Sequence, residues 1–421
     1  MSTDKDGVAT VNKKSYVIVG AGMAGAKAAE ALRAKGFDDR IFLVGDEGRL
    51  PYERPPLSKE CLVGSAPLGS TTIREWEDWM EIAVHLVLDD PVESIDTAAG
   101  AVRLASGISI EAQKVLVATG GRARTMPVGG ADLDGIYTLR TADDSEVLGD
   151  KLRRGRHRVV VVGGGLLAAE TAAAAASLGN EVTWLCRSRH PLTGAVGGHA
   201  ADHLAQVYRE APFELRAPVS VVGFVGTDRV RGVELDDGDT IPADIVITAI
   251  GQQPALDMLD RKQFQISHGV PVDSRLQTAV PNVYAAGDVA SFPDPFIGAT
   301  VRHGTWLNAS AQGEFVAGAM IGETAPFAGV PWYWSDHLGL NIQVAGHIAE
   351  SKTIVTRRHS DDSVSWFYLS GSTLLGAVGI NAARDVRAAM ILMQAGAPLG
   401  AEDVADTGVD LRALARRVTT S

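Results

Sequence analysis

A chain of 421 residues, 46% hydrophobic and 21% charged, can bury the cores of roughly two to four domains, which excludes disorder, a collagenous repeat and a disulfide scaffold. Its 39 basic and 51 acidic residues leave a net charge of −12, which argues against non-specific nucleic-acid binding. The two cysteines, Cys61 and Cys186, lie far apart with no CxxC spacing, so a cysteine-ligated iron–sulfur cluster, a zinc ribbon and a vicinal redox disulfide within this chain are excluded.

Residues 1–14 read as a polar lead-in with no apolar stretch of signal-peptide type, and no run reaches the roughly 18 apolar residues of a membrane span; a soluble, cytoplasmic protein is expected. Tyr16-Val17-Ile18-Val19 then forms a β-branched run ending at Gly20-Ala21-Gly22-Met23-Ala24-Gly25. Good helix formers follow from Ala26 to Lys35, Gly36 stops them, and Ile41-Phe42-Leu43-Val44 is the next strand, giving a βαβ unit. Val115-Leu116-Val117-Ala118-Thr119-Gly120 and a loop holding Arg122, Arg124 and Pro127 read as a crossover.

The βαβ pattern returns about 140 residues later. Val159–Val162 leads into Gly163-Gly164-Gly165-Leu166-Leu167-Ala168, an alanine-rich helix reaches Leu178, Gly179 stops it, and Val182–Leu185 is the second strand. Ile245–Gly251 closes this unit, and Pro281–Asp288 reads as a buried strand with a functional tip. From about Phe327 the texture alternates, as in Ile342–His347 and Ser365–Leu369, which predicts an antiparallel sheet followed by a helix over about Ala382–Gln394. The fold class is therefore α/β: two Rossmann-like dinucleotide-binding domains plus a C-terminal α+β domain.

Gly20, Gly22 and Gly25 form GxGxxG between strand and helix. The first glycine permits the turn, the second lets backbone approach a pyrophosphate, and the third lets helix and strand pack closely, with Asp46 and Glu47 as candidate ribose acceptors. The second unit has Gly163 and Gly165 with Ala168 in the packing position. Its second strand ends Leu185-Cys186-Arg187-Ser188-Arg189-His190. A carboxylate at this place accepts from a ribose 2′-hydroxyl, whereas an arginine suits a 2′-phosphate, so Arg187 and Arg189 favour NADPH while NADH stays open.

Here a resemblance enters. Tyr52-Glu53-Arg54-Pro55-Pro56-Leu57-Ser58-Lys59 resembles the Y-x-R-P-P-L-S-K segment of FAD-dependent ferredoxin reductases, the oxygenase- and P450-coupled group related to rubredoxin, putidaredoxin and rhodocoxin reductases. The stretch from Thr278 through Pro281–Asp288 resembles their T-x-x-P-x-[IV]-[YF]-A-x-G-D segment, and Pro331–Asp336 their P-W-[FY]-W-S-D segment. The resemblance implies a flavoprotein disulfide reductase-like architecture, with residues 1–122 and 255–327 binding FAD, 123–254 binding NAD(P)H and 328–421 forming an interface domain. It places the FAD pyrophosphate at Gly20–Gly25, Arg54 and Lys59 near the flavin, and Asp288 on the ribityl or pyrophosphate region. Lys59, Glu170 and Trp334 would act in catalysis, Glu170 facing the nicotinamide and pairing with Lys59. Thr119, Gly120, Arg122, Gly251 and Gly287 complete the cofactor-binding set.

The implied reaction moves a hydride from NAD(P)H to FAD, then single electrons to a separate iron–sulfur ferredoxin that supplies a P450 or Rieske-type oxygenase. The acceptor is open to other readings on this fold: an NAD(P)H oxidase or other acceptor reductase, a disulfide or coenzyme A reductase, or a redox-sensing flavoprotein like the apoptosis-inducing ones. A monomer or homodimer is expected, with no membrane or nucleic-acid partner. Arg153, Arg154, Arg156 and Arg158, or Arg384 and Arg387, are candidate basic patches for ferredoxin docking. Two departures from the family pattern stand out: Gly304 in Arg302-His303-Gly304-Thr305-Trp306-Leu307-Asn308-Ala309, where the family commonly has glutamate, and Cys186 in place of the usual acid.

Overall fold

The computed structural model describes residues 14–296, 298–348 and 353–420; all but the last residue of the polar lead-in lies outside them. The chain divides into two compact units, residues 1–53, 72–121 and 254–328 in one, and 54–71, 122–253 and 329–421 in the other.

The first unit is built on a parallel five-stranded sheet in the order Val283–Ala285, Lys114–Val117, Ser15–Val19, Arg40–Val44, Val84–Val87. Strand period two sorts its side chains. Tyr16 and Ile18 join Ile41 and Leu43 in a core shared with helices Met23–Ala34 and Trp306–Ile321, whereas Val17, Val19 and Val44 face the core under the meander Val92–Asp96, Ala101–Leu104, Ser109–Glu111. Both faces are buried, which is why these strands are apolar throughout rather than alternating. Helix Met23–Ala34 begins three residues before the sequence reading places it, because Gly25 lies inside the first turn. It meets Trp306–Ile321 closely: a Cβ on Gly313 would lie 2.4 Å from the Ala24 carbonyl oxygen, so only glycine permits the crossing. Thr305 caps the partner helix through the Asn308 amide at 3.3 Å, and Gly322, at φ +109°, ends it.

The second unit repeats the plan with strands Glu214–Arg216, Glu181–Leu185, Arg158–Val162, Ile245–Thr248 and Ile136–Tyr137, all parallel. Val159 and Val161 face helices Leu166–Ser177 and Thr193–Arg209, while Val160 and Val162 face a second meander formed by Val221–Gly226, Val230–Leu235 and Thr240–Pro242. An antiparallel five-stranded sheet follows in the order Trp332–His337, Leu340–Gly346, Thr373–Ile380, Val364–Ser370, Thr353–Arg358, with helix Ala383–Gln394 after it, as the alternation predicts. Ile342, Val344, Trp366, Tyr368, Val378 and Ile380 of this sheet share one core with Val196, Ala200 and Leu204 of the nucleotide fold. Burying each such aliphatic side chain is worth about 1.5–3 kcal/mol, so a charge at Val378 or Leu204 would break the junction.

Candidate functional site

In the first unit the glycine loop is held by contacts that no side chain would survive. Gly20 sits at φ +113°, and a Cβ there would fall 2.3 Å from the Ala118 carbonyl oxygen; one on Gly25 would fall 1.9 Å from the Gly20 carbonyl oxygen. Gly22 differs: nothing lies within 4 Å of its Cβ direction, so the backbone there is open to a ligand. The twelve-residue helix behind it has no side-chain cap, leaving its first amides to meet an anion. At the end of the next strand Asp46 is exposed, while the Glu47 carboxylate already accepts from the Tyr52 hydroxyl at 2.7 Å. Asp46 is thus the acceptor with room for a ribose.

A second tip belongs to this half-site. Gly287, at φ +79°, donates its amide to Gln312 Oε1 at 2.8 Å, and Asp288 is buried beside it with its carbonyl accepting from Arg302 at 3.0 Å. Gln312 is fully buried, yet its Nε2 has no acceptor among the described residues. A buried amide donor left without a partner at a glycine tip is what a polar ligand group would satisfy. An open glycine cradle, a free helix terminus and an unused donor together fit the pyrophosphate and polyol of FAD. Thr119 and Gly120 are bound into the chain crossing: Thr119 Oγ1 donates to the Ala255 carbonyl at 2.7 Å, and Gly120, at φ +63°, accepts from the Ala255 amide.

The second unit repeats the cradle. Gly163, at φ +147°, would clash with the Ala249 carbonyl oxygen at 2.3 Å if it bore a Cβ, and Gly165 faces open space. Between them, a Cβ on Gly164 would meet the Cys186 sulfur at 2.9 Å. The thiol is buried under the loop, and burial pushes its pKa up against the opposing pull of Ser188 and Arg187. A neutral group therefore ends this strand. Arg187 and Arg189 beside it are exposed and have no carboxylate partner among the described residues, an arrangement that fits an NAD(P)H adenosine phosphate. Gly251, at φ +98°, and Arg122 are exposed near the chain crossings, the former accepting from the Arg124 amide at 3.0 Å.

The same unit assembles the expected charge pair. Pro55 starts a 3₁₀ turn, Pro55–Ser58, that delivers Ser58 and Lys59 side by side; Arg54 at its head donates to the Arg140 carbonyl at 2.6 Å. Lys59 Nζ lies 3.5 Å from Glu170 Oε1, with the two side chains only 15% and 9% exposed. Glu170 Oε2 accepts from Ser58 Oγ at 2.5 Å and Oε1 from Ser335 Oγ at 2.5 Å, so both carboxylate oxygens are engaged. The Lys59 ammonium stands 5.9 Å from the Trp334 ring, which stacks on Trp332 with centroids 5.3 Å apart. Lys59, Glu170 and Trp334 are therefore brought together. Ser58 and Ser335 were not identified from sequence; the signal available for Ser335 was strand period two, which puts it on the buried face opposite Trp334.

Other expectations meet the structure differently. Cys61 is buried, with its thiol pKa raised by that burial, consistent with a small packed residue. The arginines at 153–158 do not form a free patch: Arg153 binds Asp150 and the Leu62 carbonyl, and Arg158 makes a two-pronged pair with Asp244. Arg384 and Arg387 are exposed one turn apart, with no acidic partner among the described residues. Gly304 is exposed.

Two family models match the chain: pyridine nucleotide-disulphide oxidoreductase over residues 14–313 and reductase C-terminal over 332–415. Rhodocoxin reductase of Rhodococcus erythropolis is 35% identical over 409 residues, 96% of each chain. Among solved structures, the ferredoxin reductase for the CYP199A2 system from Rhodopseudomonas palustris superposes with a TM-score of 0.92 at 32% identity, covering 96% of this chain and all of that one. The reductase chain of the covalent putidaredoxin reductase–putidaredoxin complex also reaches 0.92, at 28% identity, over 97% of this chain and 100% of its own.

Proposed function

Because the chain belongs to the pyridine nucleotide-disulphide oxidoreductase family, on the branch that carries the reductase C-terminal domain and includes rhodocoxin reductase, we propose that it is an FAD-dependent NAD(P)H:ferredoxin reductase. The observation that carries this reading is the pairing of two glycine cradles in one chain with likeness to ferredoxin reductases along 96% of its length. When bound, FAD supplies the capacity to take a hydride from NAD(P)H and release electrons one at a time.

The residues have distinct tasks. We assign FAD binding to residues 1–122 and 255–327, with Gly20, Gly22 and Gly25 cradling the pyrophosphate, Asp46 accepting from the ribose and Asp288 accepting from hydroxyls of the polyol. We assign NAD(P)H to residues 123–254 through Gly163, Gly165, Arg187 and Arg189. Lys59 lends positive charge to the redox centre, where accumulating electron density needs it, and Glu170 holds that ammonium in place. Arg54 accompanies Lys59 in this role, Trp334 stands beside the Lys59 ammonium, and Thr119, Gly120, Arg122, Gly251 and Gly287 shape backbone at the cofactor edges. Residues 328–421 would meet a separate iron–sulfur ferredoxin of a P450 or Rieske-type oxygenase system, with Arg384 and Arg387 steering an acidic partner. The protein would work in the cytoplasm as a monomer or homodimer.

Rapid mixing with NADH and NADPH in parallel, followed by cytochrome c reduction through added ferredoxins, tests the reading. Flavin bleaching followed by ferredoxin-dependent cytochrome c reduction supports it. Protein that stays colourless after reconstitution with FAD defeats it, and rapid oxygen consumption without any ferredoxin would point to an oxidase instead.

A further inference from the structure

The hydrogen bonding at Glu170 does not stop at Ser335. Ser335 Oγ also lies 3.2 Å from His337 Nδ1, and His337 Nε2 lies 2.8 Å from the Tyr208 hydroxyl. Ser335 and His337 stand two apart on strand Trp332–His337 and so share its buried face; Tyr208 comes from helix Thr193–Arg209, and all three are buried. Hydrogen counting fixes the direction of every link. A carboxylate only accepts, so the single hydroxyl proton of Ser335 goes to Glu170. Ser335 must then accept from His337 Nδ1–H. A neutral imidazole has one N–H, so Nε2 accepts and the Tyr208 hydroxyl donates.

We propose that Ser335, His337 and Tyr208 are positioning residues, a buried row of donors all pointing one way into Glu170, which locks its carboxylate plane and thereby the placement of the Lys59 ammonium. Rotating the carboxylate would break the Ser58 and Ser335 bonds together, and Ser335 cannot turn away without stranding His337. The charged and titratable groups around His337 are Lys59, Glu170 through Ser335, the exposed Asp336 and Tyr208. Burial, then the nearby Lys59 charge, push the imidazole down to about 4, and burial raises the Tyr208 phenol, so the row keeps these protons across the neutral range.

That Lys59 serves a redox centre rests on the function proposed above; the row itself does not. The test is ¹⁵N NMR of histidine-labelled holoenzyme, with the His337 signals assigned by their loss in His337→Gln. The expected result is a neutral ring protonated on Nδ1 down to about pH 5.5, well under the usual histidine midpoint. An Nε2–H tautomer, or protonation near the ordinary midpoint, overturns the proposal. In rapid mixing, Ser335→Ala should slow flavin reduction about tenfold, the size of one lost charge-assisted hydrogen bond, with NAD(P)H affinity held within about twofold. Ser335→Thr should recover most of that loss, and an unchanged rate in Ser335→Ala counts against the proposal. If Ser335→Ala does not fold, Tyr208→Phe removes one oxygen only: Ser335 still holds the proton on Nδ1, while the His337 Nε2 signal should shift as it loses its donor, and an unshifted Nε2 signal excludes Tyr208 from the row. A wild-type flavin that neither nucleotide reduces defeats the functional reading, while the tautomer still decides the row.

Discussion

At the first nucleotide loop the third motif residue is Gly25, and a methyl there would lie 1.9 Å from the Gly20 carbonyl oxygen; at the second it is Ala168, fully buried, whose methyl would stand 3.5 Å from a Cβ on Gly163. The first turn leaves no room for a Cβ at the third motif position, whereas the second accommodates the Ala168 methyl. The strand ends differ as well, with Asp46 and Glu47 in one and, in the other, the buried Cys186 thiol followed by two exposed arginines that have no carboxylate partner among the described residues. One βαβ pattern thus serves two demands. The tight, acid-tipped copy suits a cofactor that stays, and the looser, base-tipped copy suits one that comes and goes.

The sharpest way to break this contrast is to swap the packing residues. Gly25→Ala should cost the first unit about 1–3 kcal/mol of overpacking and weaken flavin retention about 10- to 100-fold, read as flavin content after purification. Ala168→Gly should cost only about 1 kcal/mol of helix stability and leave NAD(P)H affinity within about threefold. Equal losses in the two variants would mean that the distances do not carry the difference.

A second prediction concerns the charge pair. Glu170→Gln keeps the shape but removes the carboxylate from Lys59, and flavin reduction should slow about 10- to 100-fold while bound flavin is retained. An unaltered reduction rate would reduce the pair to a packing feature. Next in size, replacing Arg187 and Arg189 with alanine should lower kcat/KM for NADPH about tenfold per arginine and leave NADH within about twofold, as expected of phosphate contacts. Parallel losses with both nucleotides would show that the base-tipped strand does not choose between them.

The smallest effect lies at the foot of the second sheet. The Arg158 guanidinium, first through its hydrogen bonds, holds Asp244 down to about 2 from an ordinary value of 3.8. A carboxylate depressed in this way contributes stability that is present above its unfolded value and is lost as pH falls toward 2. Because the side chains are 45% and 30% exposed, screening limits the contribution to about 0.5–1 kcal/mol. Arg158→Ala should lower the melting temperature at neutral pH by a degree or two (roughly 0.5–1 kcal/mol) and leave it unchanged at about pH 2.

What could be read from the chain, and what could not, follows from the range of the forces. Gly20 and Gly163 were legible because a positive φ and a carbonyl within van der Waals reach admit only one residue type at a fixed place after a strand. The C-terminal sheet was legible from alternation. The strand expected over Pro281–Asp288 shrinks to Val283–Ala285, since Gly287 and Asp288 turn away as the tip. Helix Trp306–Ile321 was not identified although Thr305 and Gly322 mark both its ends, because its apolar residues run round every face and give no helical period. For Ser335 and His337 strand period two signals burial and nothing about partners, and Tyr208 carries no local signal: its bond to His337 spans 129 positions, and only folding brings the ends together.

Glu170 takes one hydroxyl from the turn at Ser58 and one from the strand at Ser335, segments 277 positions apart in the chain (335 − 58). The tail region is therefore not an exchangeable module. A chimera that grafts residues 329–421 from a related reductase without also grafting 54–71 and 122–253 would join a donor serine to a foreign acceptor. Crossovers that keep the three segments from one parent should yield working hybrids, so the workable breakpoints in recombination follow this carboxylate rather than the boundary of the terminal sheet.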